Sequence, residues 1–369
     1  MPKKKLLIIS FSAGSGHVRA AEAIRKTAEI HFPGVTTVHI DLADYLPTTT
    51  KAIILKSYLF AASKIPSLWR FLYEHTNDDA GQELLEMVTQ LGANINAGKL
   101  YRFIDELQPD YIINTHFLST KLLFARKTPP TAPVSTVVTD YDVHEYWITE
   151  GTHTYFVASE KIVWKLKKKG IPYRNIVKSG IPIDPVFFTK NNVSALKKQQ
   201  NIPQSKPLVL VLSGGQGIGR TIDIVTILRD LETPCQIIAI AGNNFELQTK
   251  LATIPMPEHI SLTALGWTDQ MDQYMRMADV IVSKPGGLTT TECMTLKKWL
   301  IAAMPIPGQE EVNATFLLDH QAGSVATTYE DLLFYTEEQL KHPRTVQYRP
   351  KPAAETILKH VEKELKKTP

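Results

Sequence analysis

The 369-residue sequence predicts an α/β protein made of two doubly wound, parallel-sheet domains that face a cleft. Three observations carry that prediction. Short β-branched runs recur between stretches of helical spacing, the pattern occurs twice, and each half opens with a strand leading into a glycine-rich turn. In the first half the runs are Leu6–Ser10, Val35–Asp41, Tyr111–Asn114, Val134–Thr139, Tyr155–Ala158 and Ile176–Ser179. In the second half they are Leu208–Ser213, Gln236–Ala241, Val280–Ser283 and Leu300–Met304. Runs of this kind alternating with helices belong to parallel sheets wrapped on both faces.

Composition agrees. Apolar residues make up 43% and charged residues 21%, which suits a folded globular chain and not a disordered one. The two cysteines, Cys235 and Cys293, have no metal-like spacing, which argues against a disulfide scaffold and fits a reducing compartment. No apolar run reaches the roughly 20 residues needed to span a bilayer. Lys3-Lys4-Lys5 followed by Leu6-Leu7-Ile8-Ile9 reads as a buried first strand, the apolar stretch being too short for a signal peptide. Residues 1–190 carry 23 basic and 18 acidic side chains, a net +5, and the remainder carries −1. That bias suits an anionic surface such as lipid headgroups, and with no nucleic-acid motif present no nucleic-acid partner is expected. The expected location is cytoplasmic, peripheral to the inner face of the membrane.

Proline and a polar run mark the domain boundary. Pro182, Pro185, Pro203 and Pro207 flank Lys197-Lys198-Gln199-Gln200, so the sequence divides into a domain over 1–185, a linker over 186–206 and a second domain over 207–350. Residues 351–369 follow, with an amphipathic helix expected from Ala353 to Lys367.

Three glycine turns are the candidate binding elements. In the first, Ser12-Ala13-Gly14-Ser15-Gly16-His17, a helix starting at the turn would aim free N–H groups and a positive dipole end at a ligand. The second, Ser213-Gly214-Gly215-Gln216-Gly217-Ile218-Gly219, offers backbone donors to a diphosphate but lacks the Gly-Lys-Ser/Thr ending of a P-loop. The third, Ser283-Lys284-Pro285-Gly286-Gly287-Leu288-Thr289-Thr290-Thr291-Glu292, joins a buried strand to a helix in a turn suited to a phosphate. Thr289 and Glu292 also have the spacing of a capping box, which would make Glu292 a structural carboxylate.

Five segments then carry a resemblance. Ser12 to Ala21, Ser179-Gly180-Ile181-Pro182, Gly266-Trp267, Ser283 to Glu292, and Pro305-Ile306-Pro307-Gly308-Gln309-Glu310-Glu311-Val312-Asn313-Ala314 resemble the monogalactosyldiacylglycerol synthases and the bacterial processive diacylglycerol β-glucosyltransferases. They run in family order over nearly the whole chain, and the last two are the most specific. The first is shared more loosely with the lipid-linked N-acetylglucosaminyltransferase of peptidoglycan synthesis.

The resemblance implies a GT-B fold and inverting transfer of a hexose, glucose or galactose, from a UDP-sugar to diacylglycerol. It implies that the first domain serves the acceptor and carries the catalytic base, His17, and that the second binds the nucleotide-sugar. Glu292 would hold the ribose hydroxyls, and Gly287, Leu288 and Thr289 would line the diphosphate. Gly266 and Trp267 would meet the uracil, and Gln309 and Glu310 the donor hydroxyls. Gly16, Gly214, Gly215, Gly217, Lys284, Gly286 and Asn313 complete the expected donor site.

The chemistry suits these residue types. Imidazole titrates near neutrality, and helix N-termini can stabilise a leaving diphosphate without a metal. No metal or other cofactor is therefore expected. Asp140-Tyr141-Asp142 has the look of a metal-binding Asp-x-Asp, but it ends a strand of a parallel fold and resembles the family's acceptor-side loop, with Asp140, His144 and Trp147 as acceptor-side residues. Lys297-Lys298-Trp299 stands where the family carries a Gly-apolar-Pro turn, so the local turn is expected to differ.

Residues 47–75 interleave aromatics with cations, and Phe60 and Trp69 are candidate membrane and acceptor contacts, or parts of ordinary amphipathic helices. Two other activities remain open on this fold: transfer of N-acetylglucosamine to a polyprenyl-linked precursor, and 2-epimerisation of a UDP-sugar.

Overall fold

In a computed structural model, residues 3–12, 14–48, 97–217 and 219–367 are described. Phe60, Trp69 and the rest of the segment from 49 to 75 lie outside them. Contacts divide the chain into two units. One comprises Met1–Pro185 with Pro307–Gln309 and Lys351–Pro369, and the other Val186–Ile306 with Glu310–Pro350.

The first unit is built on six parallel strands, β1 (Lys4–Ser10), β2 (Val35–Asp41), β3 (Tyr111–Asn114), β4 (Val134–Val137), β5 (Thr154–Val157) and β6 (Ile176–Lys178), in the order β2-β1-β3-β4-β5-β6. Its described helices are α1 (Ser15–His31), α2 (Gly98–Leu107), α3 (Phe117–Ala125) and α4 (Glu160–Lys168). Successive side chains of β1 point to opposite faces, and both faces are apolar. Leu7 and Ile9 pack with Leu100 and Ile104 of α2 and Leu118 and Leu122 of α3. Leu6 and Ile8 pack with Ile24 and Ala28 of α1 on the other side.

The second unit carries α5 (Val193–Gln199), then β7 (Leu208–Leu212), α6 (Thr221–Ile227), β8 (Cys235–Ile240), α7 (Phe245–Ala252) and β9 (Ile260–Leu265). It continues with α8 (Met271–Met277), β10 (Val280–Ser283), α9 (Gly287–Leu296), β11 (Leu300–Ala303), α10 (Gln309–Asp319), β12 (Gly323–Ala326) and α11 (Tyr329–Lys341). The sheet order is β12-β11-β10-β7-β8-β9, again all parallel. The two-sheet α/β architecture is the one the strand pattern predicts. Two strands escaped that pattern, β9 and β12, and both are sheet edges. β9 is buried only at Ile260 and then alternates exposed and partly buried positions, and β12 is four residues long and begins with glycine, so neither reads as a continuous apolar run.

Residues 186–206 pack into the second unit, where Gln200 donates to Gln270 at 2.8 Å and the Arg276 guanidinium to the Val186 carbonyl at 2.7 Å. The last helix, α12 (Ala353–Leu365), returns to the first. Its residues Ala354, Ile357, Leu358, Val361 and Leu365 recur at helical spacing, and they cover the Leu6, Ile8, Ile113 and Phe156 face of that sheet.

Lys297 ends α9 with φ +57°, the left-handed conformation that glycine adopts without strain. The Lys297 and Lys298 amides donate back to the carbonyls of Met294 and Cys293 at 3.1 and 2.8 Å. The lysine thus occupies a glycine-type cap, where a Cβ is disfavoured.

Two outcomes are expected. Replacing Lys297 by Gly raises stability by about 0.5–1 kcal/mol, seen as a higher denaturation midpoint. Ile357→Ala uncovers the first sheet and lowers stability by about 2–5 kcal/mol in urea unfolding.

Candidate active site

In each sheet the strand order reverses direction at one place: between β1 and β3 in the first unit, and between β7 and β10 in the second. Chains leaving neighbouring strands there diverge to opposite faces and open a crevice at the carboxyl edge. The first and third glycine turns lie at or beside these two places, whereas Gly266 and Trp267 follow the edge strand β9.

In the first unit, α1 begins directly after β1. Its N-cap is Gly14 in an extended conformation, with no side chain capping it, so Gly16 and its neighbours present unsatisfied N–H groups. His17 lies in that first turn. Its Nδ1 is 2.7 Å from the carbonyl oxygen of Thr115, the residue that follows β3, and 3.1 Å from Thr139 Oγ1. A carbonyl only accepts, so Nδ1 must carry the proton, which leaves the Nε2 lone pair to act as a base. Thr115 Oγ1 closes the pair by donating to the His17 carbonyl at 2.9 Å.

The His17 ring is framed by His116 and Trp147, with centroids 4.6 and 6.0 Å away. Burial holds the His17 imidazole below its ordinary pKa, opposed by the Asp140 carboxylate and by the Thr115 carbonyl. His116 is driven further down by its own burial and by His17. It is a neutral ring whose Nδ1 caps α3 by accepting from the Leu118 amide at 3.1 Å.

The acceptor-side residues separate into different roles. Asp140 is buried and acts electrostatically on His17. Trp147 is buried in a core with Tyr155 and Ile162 while its ring flanks His17. His144 turns to its own loop, with Nδ1 3.4 Å from the Tyr146 amide and its ring stacked on Tyr146 at 4.0 Å. Asp142 is held by Lys165, whose Nζ lies 2.6 and 2.7 Å from its two oxygens.

In the second unit the glycine turn after β7 packs backbone against backbone on the loop after β8. Gly217 has φ +61°, and a Cβ there would sit 2.3 Å from the Ala241 carbonyl. Gly242 is as confined, 2.5 Å from the Gly214 carbonyl and 2.6 Å from that of Gly215 by the same measure. Both positions exclude any side chain. Lys284, which follows β10, extends over Gly219, where a Cβ would stand 3.1 Å from Lys284 Cε. Beyond it, α9 starts at Gly287 with Gly286 as an uncapped N-cap.

The helix therefore starts two residues before Thr289, and Thr289 and Glu292 lie inside it. The capping box their spacing suggested is not formed. Glu292 is a buried carboxylate in the second turn of α9, close to Leu288 and Thr289 in sequence. Gly266 follows β9, and Trp267 beside it is 65% exposed, an indole ring offered to solvent at the carboxyl edge of the sheet.

Gln309 and Glu310 begin α10. Glu310 accepts from the Ile306 amide at 2.8 Å and so braces the turn that precedes it, and Asn313 is buried one turn on. A cavity of about 580 Å³ in the first unit opens at the opposite, amino-terminal edge of its sheet, beside Val134 and His153, and takes no part in this arrangement.

Sequence reasoning missed Thr115, Thr139 and His116. Thr115 acts through its main-chain carbonyl, and no motif encodes a backbone atom. Thr139 and His116 announce themselves only by lying at the carboxyl edges of β4 and β3.

Both halves of the chain are similar to known proteins. Residues 17–183 match the family model described as monogalactosyldiacylglycerol (MGDG) synthase, and residues 208–368 match that of the glycosyltransferase family 28 C-terminal domain. The processive diacylglycerol beta-glucosyltransferase of Bacillus subtilis (strain 168) is 27% identical over 333 residues, covering 89% of this chain and 85% of the relative. Among solved structures, MurG of Acinetobacter baumannii superposes with a TM-score of 0.57 at 14% identity, over 98% of this chain and 100% of the other. A putative UDP-N-acetylglucosamine 2-epimerase from Listeria monocytogenes gives 0.62 at 13% identity, over 100% and 98%. At such identities the structural likenesses establish the two-domain GT-B fold. Matched in both halves and in order, the chain carries a monogalactosyldiacylglycerol synthase domain followed by a glycosyltransferase family 28 C-terminal domain, and it resembles the processive diacylglycerol β-glucosyltransferases over most of its length.

Proposed function

We propose that this protein transfers a hexose from a UDP-sugar to diacylglycerol with inversion at the anomeric carbon, His17 serving as the base. The observation that carries the reading is the 2.7 Å contact between His17 Nδ1 and the Thr115 carbonyl, which fixes the proton on one nitrogen and frees the other.

As the acceptor hydroxyl attacks the anomeric carbon, its proton passes to His17 Nε2, and the bond from that carbon to the β-phosphate oxygen breaks. The imidazolium so formed is stabilised by Asp140 and by the Thr115 carbonyl, both of which favour the charged ring. UDP departs with added negative charge. The uncapped start of α9, the backbone of the Gly214–Gly219 turn and the Lys284 ammonium are suited to receive it.

Trp267 offers a flat face for uracil and Glu292 a carboxylate for the ribose hydroxyls, while Gln309, Glu310 and Asn313 would meet the donor sugar. No metal enters this scheme. Support comes from Lys165 engaging both oxygens of Asp142, which pairs that carboxylate of the Asp-x-Asp with a cation of the protein itself. The acceptor class follows the name of the Bacillus subtilis relative.

Four measurements test this. His17→Ala should lower kcat about 10²–10⁴-fold with little change in the KM for donor; an unchanged kcat removes His17 from the chemistry. The acid limb of kcat/KM should lie below about pH 6.5, the ordinary imidazole value, because burial lowers the His17 pKa. Asp140→Asn should move that limb to still lower pH, since the carboxylate that favours the imidazolium is gone. Incubation with each UDP-hexose and diacylglycerol in excess EDTA should yield a hexosylated lipid by mass spectrometry. A new UDP-sugar or free sugar, with the lipid untouched, would identify an epimerase instead.

A further inference from the structure

The stretch from α4 through β6 is the most one-sided run of charge in the first unit. Residues 160–178 hold seven basic side chains against the single acidic Glu160. Three of the seven are accounted for within the fold: Lys165 binds Asp142, Lys169 binds Glu145 and Lys178 binds Glu160. The other four, Lys161, Lys167, Lys168 and Arg174, face no carboxylate among the described residues, and all four are exposed.

Two large aromatic rings stand among them. Trp164 is 60% and Tyr173 68% exposed. Lys168 Nζ lies 5.7 Å from the Trp164 ring and Lys167 Nζ 5.6 Å from that of Tyr173. Lys161, Trp164 and Lys168 share one face of α4, because they are spaced by three and four residues, while Ile162, Val163 and Leu166 bury the other. A charge run is most often just a solvated surface. Such a surface, however, has no need to hold two amphipathic rings in water within a field of unneutralised cations.

We infer that this face of α4, with the Tyr173–Arg174 turn, is where the protein docks on an anionic lipid membrane. The four free cations match headgroup phosphates, and the indole and phenol rings suit the boundary between headgroup and acyl chain. The face is also tied to the catalytic residues. The two ion pairs from Lys165 and Lys169 reach the loop at Asp142 and Glu145, and that loop continues to Trp147, whose ring flanks His17. A membrane seated on α4 would therefore lie beside the loop that leads to the base, within one unit of the fold. This gives a lipid acceptor a route that does not require it to leave the bilayer surface.

The inference rests on the reading of the acceptor as a lipid, and its test is chosen to separate the two. The full-length chain and the variant K161Q/K167Q/K168Q/R174Q are sedimented with vesicles of phosphatidylcholine, pure or containing about a third phosphatidylglycerol. At about fivefold per cation, the variant should partition onto the anionic vesicles about six-hundredfold more weakly, and the parent's binding should weaken as salt rises. A second variant, Trp164→Ser with Tyr173→Ser, should also bind more weakly while keeping the salt dependence. Turnover of detergent-dispersed acceptor should be retained by both variants, which also reports that they fold. Unchanged partitioning of the quadruple variant overturns the inference, as does parental binding to an acidic polypeptide but not to vesicles. Vesicle binding lost by these substitutions in a protein that glycosylates no lipid would overturn the acceptor reading and leave the docking face standing.

Discussion

A parallel sheet cannot leave either face in water, because its strands are apolar on both sides, and this constraint shapes the whole protein. It explains why the chain, having built its second unit, returns to the first: α12 supplies the apolar stripe that covers Leu6, Ile8 and Phe156. It also creates the crevices. Where consecutive connections leave a sheet toward opposite faces, no side chain fills the carboxyl edge, and helix N-termini are left to point at whatever enters. The His17 to Thr115 hydrogen bond spans that division in the first unit, joining the segments that follow β1 and β3.

The two crevices differ in chemistry on the same scaffold. The first holds an imidazole that is desolvated, given a fixed tautomer and backed by a buried carboxylate. The second offers main-chain N–H groups, a helix start and one lysine. Side chains are absent from Gly217 and Gly242 because two backbone loops touch there. Glycine at these positions is a packing necessity as much as a means of approaching a ligand.

Much of this was legible in the residues. Ten of the twelve strands could be read from apolar runs, since burial on both faces leaves a strong signal, whereas the edge strands β9 and β12 carry a diluted one. The third glycine turn was recognisable as a strand-to-helix turn, but its boundaries were not. Thr289 and Glu292 have the spacing of a cap and occupy the helix interior, because Gly286 and Gly287 allow the helix to start earlier than a threonine cap would. The Lys297 turn shows the converse: a lysine stands at a left-handed bend of the kind glycine favours, and it bears the strain.

By itself the sequence determined the fold class and the repeat of the strand-and-glycine-turn pattern in two halves, and it singled out His17 as the candidate base, because apolar periodicity and glycine turns are local properties that survive without a partner. Tertiary structure alone decided which nitrogen of His17 is free, that Asp142 is spent on Lys165 while Asp140 acts on the imidazole, and that the last helix belongs with the first strands. Each of these depends on groups far apart in the chain. Thr115 is 98 residues from His17, and it acts through a carbonyl that every residue possesses. Only the pairing of β1 with β3 brings that oxygen to the ring, and a backbone atom placed by strand register leaves no trace in the identity of the side chain that carries it.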